Sequence, residues 1–509
     1  MKNKIIFLIE SKYLGLFLFF LGAIASVGFS PFNFFPITIF SYLIVIYFFT
    51  LNQKTTKDVF FYGFLFSLGK HLGLLYWIAI SFKTANAGGY FAGGVAVLLL
   101  SSFLSIFIAL AFYFLFKYFK DHKSLNFGIF FVFIFSLFDW LKGNILWGFP
   151  WTPISTLWSF NSATLYPFSI LGVWGYCLIT YSLIISFYYI FFSFKKALLF
   201  LFPFVFFILF LPKILIPKDS IIDTLFLRVV QPNIKQEDKW NKNMLKANYE
   251  KLTSLITSDS YRNFDLIILP ETSINFDIVE FKKKIHQKNF GLNHADSLVL
   301  GAIRAEAKDQ SINIFNSMYL IKNNYKSVSY HDKLKLVPFG EFIPFKKLLK
   351  LDKLTSGSLD FTKGKEANFL KLSSKVNILP LICYEVIFPK LSNSISGQYH
   401  LIINITNDAW YRNSSGPYQH FALTRIRAVM EGLTLIRAAN TGISGIIGPA
   451  GNVVTKLGLE KEGVIDYKLN LKAKKTVYSI YRDSLFYLIM LTLFLLICIS
   501  FFYNKNKRN

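Results

Sequence analysis

Across residues 13–211 the chain is a succession of long apolar runs separated only by short polar loops. A soluble fold has nowhere to hide so much apolar surface in so short a stretch. A bilayer does, provided each run is a helix that satisfies its own backbone N–H and C=O groups. At about 20 residues per crossing, helices are expected near 13–29, 36–50, 59–81, 89–116, 126–141, 164–193 and 197–212, with an eighth at 484–503. Lys2, Lys4 and Lys12 ahead of the first run give it the look of a signal peptide. The many runs that follow make it a first transmembrane helix instead.

Residues 213–483 have a globular composition and the length of one large α/β unit. The expected organisation is therefore a seven-helix transmembrane domain over 1–212, an extracytoplasmic domain over 213–483, and a final transmembrane helix with a cytoplasmic tail over 484–509. Positive charge fixes the orientation. With eight crossings, the amino terminus, Lys54 and Lys57, Lys117, Lys120 and Lys123, Lys195 and Lys196, and Lys505, Lys507 and Arg508 share one side. By the positive-inside rule that side is the cytoplasm. The domain at 213–483 then lies on the outer face of the cytoplasmic membrane, which is the periplasm in a cell with two membranes.

A net charge of +26 raises a nucleic-acid reading. Much of the excess sits in loops beside apolar runs, however, and no aromatic-basic motif accompanies it, so no nucleic-acid partner is expected. Basic stretches at 213–218 and 472–482 flank the last two crossings on the outer face; either they meet anionic headgroups or they form a solvated collar.

Two features of the apolar region exceed what spanning needs. Asp139-Trp140-Leu141-Lys142-Gly143, followed by Gly148-Phe149-Pro150-Trp151, puts charge and tryptophan near the outer interface. An aromatic belt with a snorkelling lysine accounts for that pattern. Lys70 and His71 sit within the third run, where ionisable groups face protein or a water-filled cavity; the sequence assigns them no role.

The globular part alternates strand-like and helix-like stretches: strands at 225–230, 266–269, 297–303, 313–321, 327–331, 377–383, 401–405, 434–437, 443–447 and 464–467, and a helix at 240–257. That pattern calls for sheets covered by helices. Three polar residues stand at the ends of apolar strands, Glu271, Lys333 and Cys383, and strand ends are where α/β folds build sites. Cys177 and Cys498 fall in apolar runs, so no disulfide framework is implied. Cys383 is either a small buried hydrophobe or a nucleophile; an outer-face thiol is open to oxidation, which favours use. A carboxylate, an ammonium and a thiol are the parts of acyl transfer through a thioester.

Leu269-Pro270-Glu271-Thr272, Lys333 with Leu336-Val337-Pro338-Phe339-Gly340-Glu341, and Cys383-Tyr384-Glu385 resemble the Glu–Lys–Cys motifs of the nitrilase superfamily. The resemblance is closer to its membrane-bound branch, the apolipoprotein N-acyltransferases, and runs through Gly148-Phe149-Pro150-Trp151, Val230-Gln231-Pro232-Asn233-Ile234, Trp240 and residues 404–410. It implies a nitrilase-like α-β-β-α sandwich beside the eight-helix membrane domain, and a ping-pong reaction without cofactor. Cys383 would take an acyl chain from the sn-1 ester of a phospholipid donor and pass it to the α-amine of a diacylated apolipoprotein. Glu271 is then the general base, Lys333 and the Tyr384 N–H hold the oxyanion, and Glu341 keeps Lys333 charged and oriented. Glu385 is either an assistant or a structural ion-pair partner. Trp240, Trp410, Trp151 and Phe149 are the candidates for substrate contact, ordinary core or interface packing being the other reading.

Residues 431–440, with Arg437 and Asn440, look like the family's sheet returning beside the site, and Gly442 and Gly445 like turn or close-approach positions. Loops at 339–344 and 355–364 are either lids or plain surface loops. The seven histidines show no ligand spacing, so no metal is expected, and a monomer is expected. A membrane-anchored amidase with the same three residues, or an idle lipid-binding scaffold, are the competing readings.

Overall fold

The computed structural model describes residues 13–51, 55–210, 221–258, 263–274, 295–308, 311–322, 327–344, 354, 360–366, 368–394, 398–472 and 475–506. Lys2, Lys4, Lys12, Lys54, the stretch 213–218, residues 355–359 of one expected lid loop, and Lys507 and Arg508 lie outside the described residues. The chain divides into two compact units, one of Met1–Tyr76, Gly94–Ile216 and Thr476–Asn509, the other of Trp77–Gly93 and Pro217–Lys475.

The first unit is helical. Among the described residues, Gly89–Tyr118, Leu125–Asn144, Phe168–Ile190 and Ser484–Phe502 are long and apolar enough to cross a membrane, and a fifth crossing results if Thr56–Leu75 and Trp77–Thr84, broken at Tyr76, count as one. The expectation of eight is met only to that extent. Leu14–Ala25 and Phe35–Leu51 are shorter, at 12 and 17 residues. Phe194–Val205 contains Pro203 and passes into a π turn, because proline removes one helical hydrogen bond. Leu14–Ala25 packs on Thr56–Leu75 through glycine: a Cβ on Gly22 would lie 1.8 Å from the Phe66 carbonyl oxygen, and one on Gly69 1.9 Å from that of Phe19. Small residues at a helix contact let two apolar backbones approach where burial from water drives nothing.

Lys142 does not snorkel. Its Nζ lies 2.7 Å from Asp139 Oδ1, and both side chains are buried within the protein. Asp139 Oδ2 also accepts from the Tyr181 hydroxyl at 2.8 Å and the Ile154 N–H at 3.2 Å. The residues at i and i+3 share a helix face, so a motif that looks interfacial in sequence becomes an internal ion pair. Lys70, also buried, donates to the Tyr42 hydroxyl at 3.0 Å, and His71 Nδ1 sits 2.9 Å from the Ser67 carbonyl.

Among the described residues the second unit holds twelve strands in two six-stranded sheets. β1 (Ile221–Gln231), β2 (Phe264–Ile268), β3 (Ala295–Lys308), β4 (Ser311–Lys322), β5 (Ser327–Asp332) and β12 (Gly463–Lys472) form the first, in the order β12-β1-β2-β3-β4-β5. β6 (Leu370–Lys371), β7 (Asn377–Ile382), β8 (Leu401–Thr406), β9 (Thr434–Ala439), β10 (Ser444–Ile447) and β11 (Val453–Leu457) form the second, in the order β11-β10-β9-β8-β7-β6. Each has three parallel strands, β1–β3 and β7–β9, flanked by antiparallel ones.

Alternation along β1 shows the layering. Arg228 Nη1 reaches the carbonyls of Leu255 and Ile256 on the helix Leu245–Thr257, and Val230 packs with Leu252 and Ile256. Gln231 points the other way and accepts from the Ser444 N–H of β10. Successive side chains on a strand face opposite sides, so β1 has helix on one face and sheet on the other, and the helix Ser415–Glu431 packs on β9. Coverage of both faces explains the near-continuous apolar runs of β2 and β8.

The short strands β6 and β11 and the helix Ser415–Glu431 have no counterpart in the sequence reading, and the helix expected at 240–257 begins at Leu245. Trp240 instead ends a one-turn helix, Gln236–Lys239.

Removing one member of the internal pair leaves a buried charge, which costs about 3–5 kcal/mol. Asp139→Ala is therefore expected to lower the thermal midpoint of the purified chain in detergent, and Asp139→Ala combined with Lys142→Met to recover most of the loss. An equal drop in both would mean that the pair is not what stabilises this region.

Candidate active site

Glu271, Cys383, Asp408 and Asn440 all follow the carboxyl ends of parallel strands, β2, β7, β8 and β9, the edge where such sheets gather polar groups. Lys333 follows β5 directly. Glu271, Lys333, Glu341, Cys383, Tyr384 and Glu385 are all buried.

The centre is the Lys333 ammonium. Its Nζ lies 2.9 Å from Glu341 Oε1 and 3.5 Å from Glu271 Oε1. Asn316 ties the two carboxylates together, its Nδ2 donating to Glu271 Oε1 at 2.8 Å and to Glu341 Oε1 at 3.1 Å. Glu341 Oε2 accepts from the Val337 N–H at 2.8 Å. Burial alone would strip the proton from Lys333, but Glu341 and then Glu271 outweigh it and hold the group well above the ordinary lysine range. A second ammonium, that of Lys239, donates to the Glu271 backbone carbonyl at 2.9 Å. Burial pushes it down to about 8, with Glu271 and Cys383 opposing.

Cys383 is the first residue of a 3-10 turn, Cys383–Ile387, the strand expected over 377–383 ending one residue earlier at Ile382. Its φ is +52°, and Thr272, just after Glu271, has φ +43°. Left-handed backbone at residues other than glycine needs outside support. Here the support is visible. Glu385 Oε1 accepts from the N–H groups of Leu334 and Lys335 at 2.6 and 3.1 Å, and Oε2 from that of Ile382 at 2.8 Å. One carboxylate thereby staples the segment after Lys333 to the turn that carries the thiol. Burial works against its charge, but His331, the Ile382 N–H and Lys333 prevail and lower its pKa. Arg427, from the helix Ser415–Glu431, donates to the carbonyls of Val386, Phe388 and Pro389. Glu385 is thus a positioning group that binds backbone.

Burial and the nearby Glu271 push the Cys383 thiol up to about 12, against the pull of Lys333. The resting sulfur is a neutral thiol. Behind it lies a buried polar cluster: Asp408 Oδ1 is 2.9 Å from His420 Nδ1, and Arg437 Nη2 is 2.8 Å from Asp408 Oδ2. Arg437 and His420 hold Asp408 at about 2 although burial opposes it.

Close approach explains two glycines. A Cβ on Gly301 of β3 would lie 2.7 Å from the Glu271 Cα, and one on Gly442 2.4 Å from Asp408 Oδ2. The stretch 339–344 is a tight turn, with Phe339 N–H donating to the Phe342 carbonyl at 2.7 Å. In the other expected lid loop, Phe361 N–H donates to the Glu341 carbonyl at 2.9 Å and Gly364 N–H to that of Lys333 at 2.9 Å. Trp240 and Trp410 are half-buried, Trp410 within the turn Asp408–Tyr411. Trp151 is buried and stacks on Phe149 in the first unit, ring centres 6.2 Å apart.

Sequence reasoning missed Asn316, Lys239, Asp408 and His420. Asn316 gives no local signal, being one inward position on a long strand. His420 was findable: Ser414 before the helix and Gly432, φ +66°, after it are ordinary helix start and stop residues. Among the described residues no group of histidine, cysteine and carboxylate side chains is arranged to hold a metal ion.

A family model described as carbon-nitrogen hydrolase matches residues 226–477, and one described as apolipoprotein N-acyltransferase N-terminal domain matches residues 21–186. An apolipoprotein N-acyltransferase of Rickettsia typhi is 33% identical over 89% of this chain and 92% of its own. Those of Rickettsia prowazekii (33%; 88% and 91%) and Rhodopseudomonas palustris (29%; 90% and 90%) are similar over nearly the same extent.

A thiol raised to about 12 is mostly protonated at every pH below that value, and its thiolate fraction grows about tenfold per pH unit. The alkylation rate of Cys383 by iodoacetamide is expected to climb from pH 7 to 10 without levelling near the ordinary thiol value. A plateau reached below pH 8 would contradict a neutral resting thiol.

Proposed function

The chain belongs to the apolipoprotein N-acyltransferase family, and from that premise we propose that it acylates lipoproteins through a thioester on Cys383, with Glu271 as base and Lys333 as oxyanion partner. N-acylation of lipoproteins is the activity of the family. The observation that most supports this route to it is the buried Lys333 ammonium, bracketed by Glu271 and Glu341.

In the first half-reaction Glu271 takes the thiol proton as Sγ adds to the sn-1 ester carbonyl of a phospholipid. The carbonyl π pair becomes an oxyanion, stabilised by the Lys333 ammonium and the Tyr384 N–H. Each such donor is worth about 3 kcal/mol in other enzymes. Collapse breaks the ester C–O bond, and the lysophospholipid leaves with the proton from Glu271. In the second half, the α-amine of a diacylglyceryl-cysteine attacks the thioester. Glu271 accepts the amine proton, the C–S bond breaks, and the proton returns to sulfur. Glu341 and Asn316 hold the ammonium and the base in register, and Tyr384, Trp240 and Trp410 are candidates to line the acyl or headgroup path.

A neutral thiol suits this sequence, because it is activated only when an ester arrives beside the base. Burial of the catalytic groups supports transfer over hydrolysis, since a thioester there is kept from bulk water.

The reading extends to topology: eight crossings, with residues 213–483 on the periplasmic face of the inner membrane and both termini in the cytoplasm. A reporter active only in the cytoplasm is expected to work when fused after Asn509; activity of a periplasm-only reporter at that position would refute the eight-crossing arrangement.

Incubating the purified chain with phospholipid alone is expected to give a hydroxylamine-labile acyl group on Cys383, absent in Cys383→Ser, that moves to a diacylated lipopeptide on addition. Free fatty acid without a protein adduct, or ammonia release from small amides, would instead indicate a hydrolase. Asn316→Ala is expected to slow adduct formation by about 10- to 100-fold, by loosening Glu271 and Lys333 together.

A further inference from the structure

The backbone carbonyl of Cys383 carries more hydrogen bonds than a turn needs. His420 Nε2 lies 3.2 Å from it and Asn404 Nδ2 3.3 Å. Both groups are fully buried, and neither belongs to the turn. Each is fixed in turn by a charged neighbour. Arg437 Nη1 donates to Asn404 Oδ1, which leaves the amide nitrogen facing the carbonyls of Leu381 and Cys383. Asp408 Oδ1 is 2.9 Å from His420 Nδ1, and Arg437 Nη2 is 3.1 Å from the same nitrogen.

A carbonyl oxygen can only accept, so the contact to Cys383 requires the proton on Nε2 of His420. Two forms of His420 carry that proton, the imidazolium and the neutral Nε2–H tautomer. Neutral His420 accepts at Nδ1 from Arg437; protonated His420 donates from Nδ1 to Asp408. A histidine that merely filled space would need neither the buried carboxylate nor a bond to this carbonyl.

A trans peptide is planar, so its C=O and N–H point in opposite directions and fixing one fixes the other. The oxygen held by His420 belongs to the peptide whose nitrogen is that of Tyr384. By its place at the start of the 3-10 turn, this N–H has no partner within the turn. Cys383 itself is held at φ +52°, a sparsely populated backbone conformation that the surrounding bonds must maintain.

We propose that His420, braced by Asp408 and Arg437, is a positioning residue that locks the Cys383–Tyr384 peptide plane and so aims the Tyr384 N–H at the oxyanion. The inference rests on the acyl-enzyme reading above.

Two rates on the full-length chain in detergent separate the possibilities. One is acyl-thioester formation on Cys383 from phosphatidylethanolamine with a mass-labelled sn-1 chain, followed by intact mass. The other is alkylation of Cys383 by iodoacetamide, which attacks a saturated carbon and forms no oxyanion. His420→Met and His420→Gln match in length and differ in the donor. The methionine variant is expected to lose about 10- to 100-fold in acylation at saturating donor, with an unchanged KM for the phospholipid and alkylation within about twofold of wild type. The glutamine variant is expected to stay within about threefold of wild type in acylation. Acylation and alkylation falling together, neither falling, or glutamine behaving as methionine would overturn the proposal. Should the methionine variant not fold, His420→Leu takes its place as the variant without a donor, with the same expected and overturning results. A wild-type chain that alkylates at Cys383 but never acylates overturns the acyl-enzyme reading itself, and this proposal with it.

Discussion

The geometry of the site depends on keeping one ammonium charged where there is almost no water. Burial disfavours the charged form of Lys333, and a single carboxylate opposite it would leave the neutral and ionised pairs close in energy. The chain supplies two, Glu341 at 2.9 Å and Glu271 at 3.5 Å, with a second ammonium, Lys239, on the backbone carbonyl of Glu271. Burial and then the nearby Glu271 keep the Cys383 thiol protonated at rest, against the pull of Lys333. Glu271 therefore stabilises the cation and restrains the nucleophile. Asn316 makes the arrangement specific: without an amide donating to both carboxylates, two like charges sharing one lysine would have reason to move apart.

The sequence made the strands and their ends legible to different degrees. Continuous apolar runs such as β2, β7 and β8 are bounded by turn residues, and burial on both faces leaves them no alternative pattern; hence Glu271 and Cys383 stand out at their ends, while Lys333 follows β5, a mixed and partly exposed strand. β6 has two residues and β11 alternates half-buried with exposed positions, so neither produces a hydrophobic run. The helix Ser415–Glu431 escapes for the opposite reason. It is buried nearly all round while carrying His420, Arg427 and Glu431, and charges on a helix that faces protein on every side blur the amphipathic period. The groups it contributes act on backbone carbonyls, and a bond to backbone leaves no mark on the partner's residue type.

The apolar region shows the limit of reading by run length. Asp139 and Lys142 look like an interface motif because tryptophan and glycine surround them, yet three residues' spacing on a helix turns them towards each other. The run at 13–29 is apolar enough to span, but its α-helix ends at Ala25 and passes into a 3-10 turn, Ser26–Gly28, while the helix Phe35–Leu51 covers all of the run at 36–50 and still has only 17 residues. Hydropathy measures where a segment prefers to be. It does not measure how long its helix is.

Left-handed backbone connects these observations. Thr272 after the base and Cys383 at the nucleophile both hold positive φ, each where an extended strand must turn abruptly to present a side chain. Such turns persist only if the surrounding structure makes the alternatives worse. At Thr272 the constraint is steric: Gly301 of the next strand lets the two backbones approach, with the Glu271 Cα 2.7 Å from where a Cβ would be. At Cys383 it is hydrogen bonding, from Glu385 in the turn to the segment after Lys333, from Arg427 and His420 on one helix, and from Asn404 on β8. Contact through a missing side chain tolerates no substitution but costs few residues. Holding the nucleophile by hydrogen bonds takes four side chains and fixes, besides the thiol, the direction of the next peptide N–H. On the acyl-transfer reading that is the more demanding task, since two groups must be aimed from one turn, and it accounts for the larger share of buried charge gathered behind Cys383.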